Sequence, residues 1–212
     1  IWINVYEKVI IPMIASPLLG LVVSALIMIV INKALKKLKK NFRHHLLTRL
    51  QIFSGALMAF SHGSNDAQKT MGIITLSLIS AKLIPEQGNQ IPWWVILLCA
   101  VTMGLGTLAG GKKIIVTASE KITKLENESG LSANLAAAFV NLLCSRLGIP
   151  ISTTHVVVGS ITGSGAISNK GIIDFSTWRH MILTWILTLP GSSGIALIIY
   201  LIFARFLLPR LH

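Results

Sequence analysis

The sequence predicts an all-α integral membrane protein: a polytopic helical bundle with broken helices and a re-entrant hairpin. Three observations carry that expectation. The 212 residues are 53% hydrophobic and only 12% charged, against about 25% charged residues in soluble domains, so too few polar side chains exist to cover a water-facing surface. Several uncharged stretches reach the length of a bilayer crossing. Seven of the nineteen Lys and Arg residues fall in Lys33–Arg49, between two such stretches, where cationic loops are retained in the cytoplasm. That placement excludes a nucleic-acid binder, which spreads its basic residues over a folded soluble face. Contact with anionic lipid follows as a by-product of the cluster. The expected location is a cell membrane, crossed several times.

The elements follow in order. Ile10–Ile31 carries no charge, is flanked by Lys8 and Lys33, and is long enough to span; Pro12, Pro17 and Gly20 are expected to kink its first half. It is too long and too Pro-interrupted for a signal peptide, and a chain opening on Ile1 is expected to be processed or truncated. Residues 33–49 form the basic cytoplasmic loop. Leu50–Ala81 is apolar at both ends and interrupted by a polar run from Ser61 to Thr70, where Gly63 is expected to allow a break in the helix. Pro85–Pro92 reads as a polar turn, and Trp93 and Trp94 suit an interfacial aromatic belt. Trp93–Gly111 is the next span, with Gly106 and Gly110 spaced for close helix contact. Lys112–Gly130 is a mixed-charge connector outside the membrane.

Leu131–Ser145 is too short to span. Arg146, Gly148 and Pro150 break it, and Ile151–Ala166 resumes as a second short apolar arm, so residues 131–166 read as a re-entrant hairpin buried in protein or lining a cavity. Gly159 and Gly163 are explained by close packing, since small residues line membrane helix interfaces. Met181–Ala204 is a last uncharged span with Pro190-Gly191 near its middle. Cys99 and Cys144 both lie in apolar runs and read as small buried hydrophobes, with no disulfide framework or zinc spacing. All 212 residues are expected to form one transmembrane domain.

Two constellations carry chemistry. Asp66 stands inside an apolar stretch, whereas the other six acidic residues lie in loops or near ends. A carboxylate at bilayer depth costs a few kcal/mol or more, so it needs a partner: Lys69, three residues on, or a hard cation such as sodium, to which Asp66 and the Asn65 amide offer oxygens. A buried Asp66–Lys69 pair serving packing alone is the bland alternative. His62 is as readily a hydrogen-bonded packing residue as a proton carrier.

The second constellation is Pro150-Ile151-Ser152-Thr153-Thr154-His155, ahead of a Gly-rich apolar helix. Pro followed by Ser and Thr is a helix-start signature. A helix start presents unpaired N–H groups and partial positive charge, and the hydroxyls of Ser152, Thr153 and Thr154 add donors. Together they suit an anion inside the membrane; the alternative is that they cap the helix and bond its neighbours. His155 then supports the site from behind. Acceptors for a cation beside donors for an anion are what a symporter needs. Phosphate protonated at neutral pH has an O–H to donate and sulfate has none, so a carboxylate acceptor at Asp66 would favour phosphate.

The run Phe60–Leu76 (FSHGSNDAQKTMGIITL) resembles the signature of PiT-type inorganic phosphate transporters, a Gly-x-Asn-Asp element in each of two inverted halves. Gly148–Gly165 (GIPISTTHVVVGSITGSG) resembles the second signature of that family, and Trp185–Pro190 (WILTLP) is similar to its last part. The resemblance implies sodium or proton coupling at Asn65 and Asp66, with Ser64 beside them; phosphate contact by Ser152, Thr153 and Thr154; and Gln68 and Lys69 close to the site. It also implies the C-terminal half, or second inverted repeat, of an inverted-repeat transporter. Its partners would be inorganic phosphate, the lipid bilayer, and a first half or a second copy of this chain. No cofactor is expected beyond a coupling sodium ion. Two rivals remain at this point: an intramembrane serine hydrolase using Ser152 or Ser64 with His155 and Asp66, and a passive anion channel. No Gly-x-Ser-x-Gly elbow surrounds either serine, and an enzyme is not expected.

Overall fold

The computed structural model describes residues 6–85, 90–117, 122–168 and 174–206. Every regular element among them is helical. A π-helical turn, Tyr6–Ile10, leads into α1 (Ile11–Leu35). There follow α2 (Lys40–Ser80), α3 (Trp93–Thr117), α4 (Asn127–Arg146), α5 (Thr153–Ile167) and α6 (Phe175–Phe206). Three stretches are long and apolar enough to cross a membrane: Ile11–Leu35, Trp93–Lys112 and Ser176–Arg205. The chain divides into two compact units, Ile1–Ile173 and Asp174–His212.

In the first unit α1 meets α5 along a seam of small residues. Pro12, Ser16, Gly20, Ser24 and Met28, one per turn, form the buried stripe of α1, while Ile14, Leu18, Val22 and Leu26 face outward. Gly159 lies against the Pro17 carbonyl and Gly163 against the Leu21 carbonyl, so that a Cβ at either would collide with backbone. The two contacts advance together along both helices, and α1 and α5 therefore run parallel. Close backbone approach of this kind is how helices associate where lipid supplies no hydrophobic drive, and the expected packing role of Gly159 and Gly163 is met.

α2 runs parallel to α4. Arg43 pairs with Glu128 at 2.9 Å, Asn134 Nδ2 donates to Ser54 Oγ at 3.4 Å, and Ser145 Oγ donates to Gln68 Oε1 at 3.0 Å. Leu35, Leu47 and Leu131 close the end nearest the α1–α2 turn. Ala137, Val140, Cys144, Ile151 and Val156 form a second cluster where α4 meets α5. Ala67, Met71, Val95 and Cys99 pack α2 on α3. Both cysteines are buried free thiols.

The chain reverses after α4 through a Schellman-type turn. Gly148 takes φ +66, its N–H reaches the Ser145 carbonyl, and the Ile149 N–H reaches the Cys144 carbonyl at 2.9 Å. Glycine is suited to this left-handed position because it has no Cβ to clash. The expected break at Gly148 and Pro150 is therefore present.

Three local expectations are corrected. The polar run Ser61–Thr70 does not interrupt α2, which continues through it; His62 and Lys69 stand one turn from Asp66 on the same helix, so the carboxylate finds partners without opening the backbone. The basic segment 33–49 is mostly helix, with Lys36–Lys39 alone joining α1 to α2. Gly106 and Gly110 meet no atom that a Cβ would touch within 4 Å, so their spacing brings no helix close within the described residues. Part of the expected turn at Pro85–Pro92 and part of the connector Lys112–Gly130 lie outside the described residues.

The second unit is α6, which continues through Pro190. Asp174 opens it, accepting from the Ser176 N–H at 2.9 Å and the Thr177 hydroxyl at 2.6 Å. Chiefly through the Thr177 hydrogen bond, its carboxyl is held below the ordinary value.

Candidate anion and cation site

The site forms where α4 turns back into α5, beside the midportion of α2. Asp66 is its centre. Its Oδ1 lies 3.3 Å from Lys69 Nζ; its Oδ2 accepts from Thr153 Oγ1 at 3.0 Å and lies 3.5 Å from His62 Nε2. Lys69 also donates to the Ile151 carbonyl at 3.0 Å. One lysine and one carboxylate thus tie α2 to the start of α5, although the partners are more than eighty residues apart in sequence. The Asp66 side chain is 29% exposed and that of Lys69 47%, so the pair is open to a ligand rather than sealed in the core.

Ser152 is the N-cap of α5. Its hydroxyl accepts from the His155 N–H at 3.4 Å, and its own N–H donates to Ser16 Oγ at 3.4 Å. The Ser16 hydroxyl in turn donates to the Pro12 carbonyl. His155 is buried, with Nδ1 3.3 Å from the Met13 carbonyl. The first turn of α5 is thereby braced by α1 from one side and by α2 from the other. Its leading amides carry the partial positive charge of a helix start.

The three hydroxyls expected to act as a row divide their work: Ser152 caps the helix, Thr153 is buried on Asp66, and Thr154 is exposed. Successive residues of a helical turn point about 100° apart, so three in a row do not share a direction. Gln68 is exposed and held by Ser145. Ser64 is half-buried, outside this network. Asn65 is buried, with Nδ2 lacking a partner.

Sequence reasoning missed Ser16, Ser145 and the Ile151 carbonyl. Ser16 had a signal, the four-residue spacing Ser16, Gly20, Ser24 in an otherwise bulky apolar span. The Ile151 carbonyl had none, since a backbone acceptor carries no residue identity. A hydrolase would need a serine joined to an imidazole. Here the imidazole near Asp66 belongs to His62, Ser152 accepts from a backbone N–H, and the His155 ring turns to Met13.

The model of the Phosphate transporter family matches residues 35–196. A probable low-affinity inorganic phosphate transporter of Bacillus subtilis is 40% identical over 202 residues, covering 95% of this chain and 59% of its own length. A protein of the same description from Mycobacterium leprae is 35% identical, covering 94% and 48%. Sodium-dependent phosphate transporter 1 of Rattus norvegicus is 32% identical over 161 residues, 76% of this chain and 24% of its own length. A solved sodium-dependent phosphate transporter superposes with a TM-score of 0.68 at 24% identity, covering 97% of this chain and 62% of the other, and shares the fold. The chain spans about half the length of the curated relatives it matches.

Proposed function

The chain belongs to the phosphate transporter family, and from that premise we propose that it forms part of a symporter that moves inorganic phosphate across a membrane, coupled to sodium or protons. It is a multi-pass membrane protein, and membership places it among transport proteins rather than enzymes. The observation that carries the proposal is the shared hold of Lys69 and Thr153 on Asp66. Both groups are donors that a phosphate oxygen would compete for. When the anion draws Lys69 and Thr153 to itself, Asp66 is left ionised with oxygens open to a cation, so that binding one ion prepares the site for the other.

In this reading Ser152, Thr153 and Thr154 with Gln68 and Lys69 receive phosphate at the helix start. Ser64, Asn65 and Asp66 serve the cation, and His62 and His155 hold the two edges. Sodium is supported by the relative named sodium-dependent and by the oxygen character of Asn65 and Asp66. α5 has 15 residues and so measures about 22 Å at 1.5 Å per residue, short of a core of about 30 Å. That shortness supports a re-entrant arm whose first turn stands within the bilayer. The basic residues around Lys36–Lys39 would then face the cytoplasm, and the other half of the transporter, or a second copy, would complete the site.

The test is labelled phosphate uptake by the full-length parent in liposomes under separate sodium and proton gradients. Asp66→Asn is expected to lower gradient-driven accumulation more than tenfold and to erode the preference for phosphate over sulfate. Unchanged accumulation in that variant would sink the coupling role, and absence of uptake by the parent would sink the transport reading.

A further inference from the structure

We infer that Pro17 is a positioning residue for the anion-binding start of α5: by withholding an amide N–H from the Met13 carbonyl, it leaves that oxygen to the His155 ring. The inference rests on the transport reading above. Proline lacks the N–H that other helical residues donate to the carbonyl four places before them, and its ring pushes that carbonyl off the helix axis. Pro17 lies inside α1, and the carbonyl four places before it is that of Met13. A backbone carbonyl among apolar helices needs a donor. Here the donor comes from another helix, His155 Nδ1 at 3.3 Å. A carbonyl only accepts, so the ring nitrogen facing it carries the proton.

The register of the α1–α5 seam gives this contact its place. The Pro17 carbonyl lies against Gly159 and the Leu21 carbonyl against Gly163. Met13 and His155 stand four residues earlier on their helices and form the rung before these. At the two later rungs a glycine backbone meets the carbonyl directly. At the first rung a histidine stands where the pattern would put glycine, and it reaches its carbonyl through the ring. The start of the seam is therefore held by a directional hydrogen bond, where the rest relies on close packing.

His155 also donates its backbone N–H to Ser152 Oγ at 3.4 Å, so one residue ties the N-cap hydroxyl to α1. The Ser152 N–H is held in turn by Ser16 Oγ at 3.4 Å, next to Pro17. Between these two ties, Thr153 donates to Asp66 Oδ2 at 3.0 Å. Residues 13–17 of α1 therefore set the direction in which the leading amides and hydroxyls of α5 point, and those are the groups assigned to phosphate. An N–H at position 17 would compete with His155 for the Met13 carbonyl, because the bond within the helix closes without any movement of a neighbour. The ring would lose its anchor while α1 became more regular. A proline that only bends or packs α1 would have no such link to a side chain of α5.

The experiment uses the full-length parent: phosphate uptake in liposomes, thermal unfolding in detergent, and nitrogen NMR of histidine-labelled protein, with the His155 ring signal assigned by its loss in His155→Ala. Pro17→Ala is expected to raise the phosphate KM at least fivefold while the maximal rate stays within twofold of the parent. Its thermal stability should be equal or higher, since alanine suits a helix interior better than proline, and the hydrogen-bonded shift of His155 Nδ1 should disappear. His155→Ala should raise KM by a similar factor, and the double variant should be no worse than His155→Ala alone, because both changes remove one contact. His155→Gln, which keeps an N–H donor, should recover part of the loss. Pro17→Gly restores the same N–H and carries the test if the alanine variant does not fold. Additive KM effects in the double variant would overturn the inference, as would an unchanged ring signal or an unchanged KM in Pro17→Ala. A ring signal that depends on Pro17 in a parent that moves no phosphate would uphold the link between Pro17 and His155 while the transport reading fails.

Discussion

The two parallel helix pairs of the first unit are built on opposite principles. α1 and α5 meet through glycine set against carbonyl, with the helix backbones in close approach. α2 and α4 meet through a ladder of polar side chains, Arg43–Glu128, Ser54–Asn134 and Gln68–Ser145. The first seam gains its stability from close van der Waals packing, where a single added methyl has nowhere to go. The second puts polar side chains between its helices, and polar atoms are what an ion or anion site requires. Rigidity on one side holds the start of α5 in place; in the proposed mechanism, adaptability on the other would let Lys69 and Asp66 exchange partners.

The contrast is broken most severely at the dry seam. Gly159→Leu or Gly163→Leu should cost more than about 3 kcal/mol, since overpacking against backbone cannot be relieved by a rotamer change. Loss of monodisperse protein in detergent would report it. Gly106→Ala on α3 is the control, expected to stay within about 0.5 kcal/mol. If the two substitutions destabilised the protein equally, the close-contact account of the α1–α5 seam would be wrong.

Next in size is Lys69→Ala. It removes the charge partner of Asp66 and the donor to the Ile151 carbonyl together, and phosphate uptake by the parent should fall at least tenfold while the protein remains folded. Lys69→Arg should recover only part, because a planar fork does not reproduce the point charge of an ammonium. Smaller again is Ser145→Ala, which deletes the hydrogen bond to Gln68. It should cost about 1 kcal/mol in thermal unfolding, with uptake reduced a few-fold through a freer Gln68. The smallest effect belongs to Arg43→Ala at the far end of the ladder. Its pair with Glu128 is partly exposed, and such pairs contribute below about 1 kcal/mol, so uptake should be unaffected and the melting temperature nearly so. A large loss there would mean that the polar ladder sets the stability of the unit and not only its chemistry.

The sequence by itself determined the solvent of this protein, its helical class and the residues around which a site had to form. Those properties follow from composition, from unbroken apolar length, and from the cost of placing Asp66 in an apolar run, all local or additive. Helix starts and stops at Ser152 and Gly148 were likewise readable, because capping is a property of a few consecutive residues. The tertiary structure alone decided that α2 would pass unbroken through Asp66, since the partners that make this possible include Thr153, brought there from another helix. It also decided that Ser152, Thr153 and Thr154 would take separate partners. Such pairings depend on the register and rotation of one helix against another, which are set by packing over the whole interface and leave no mark at any single position of the chain.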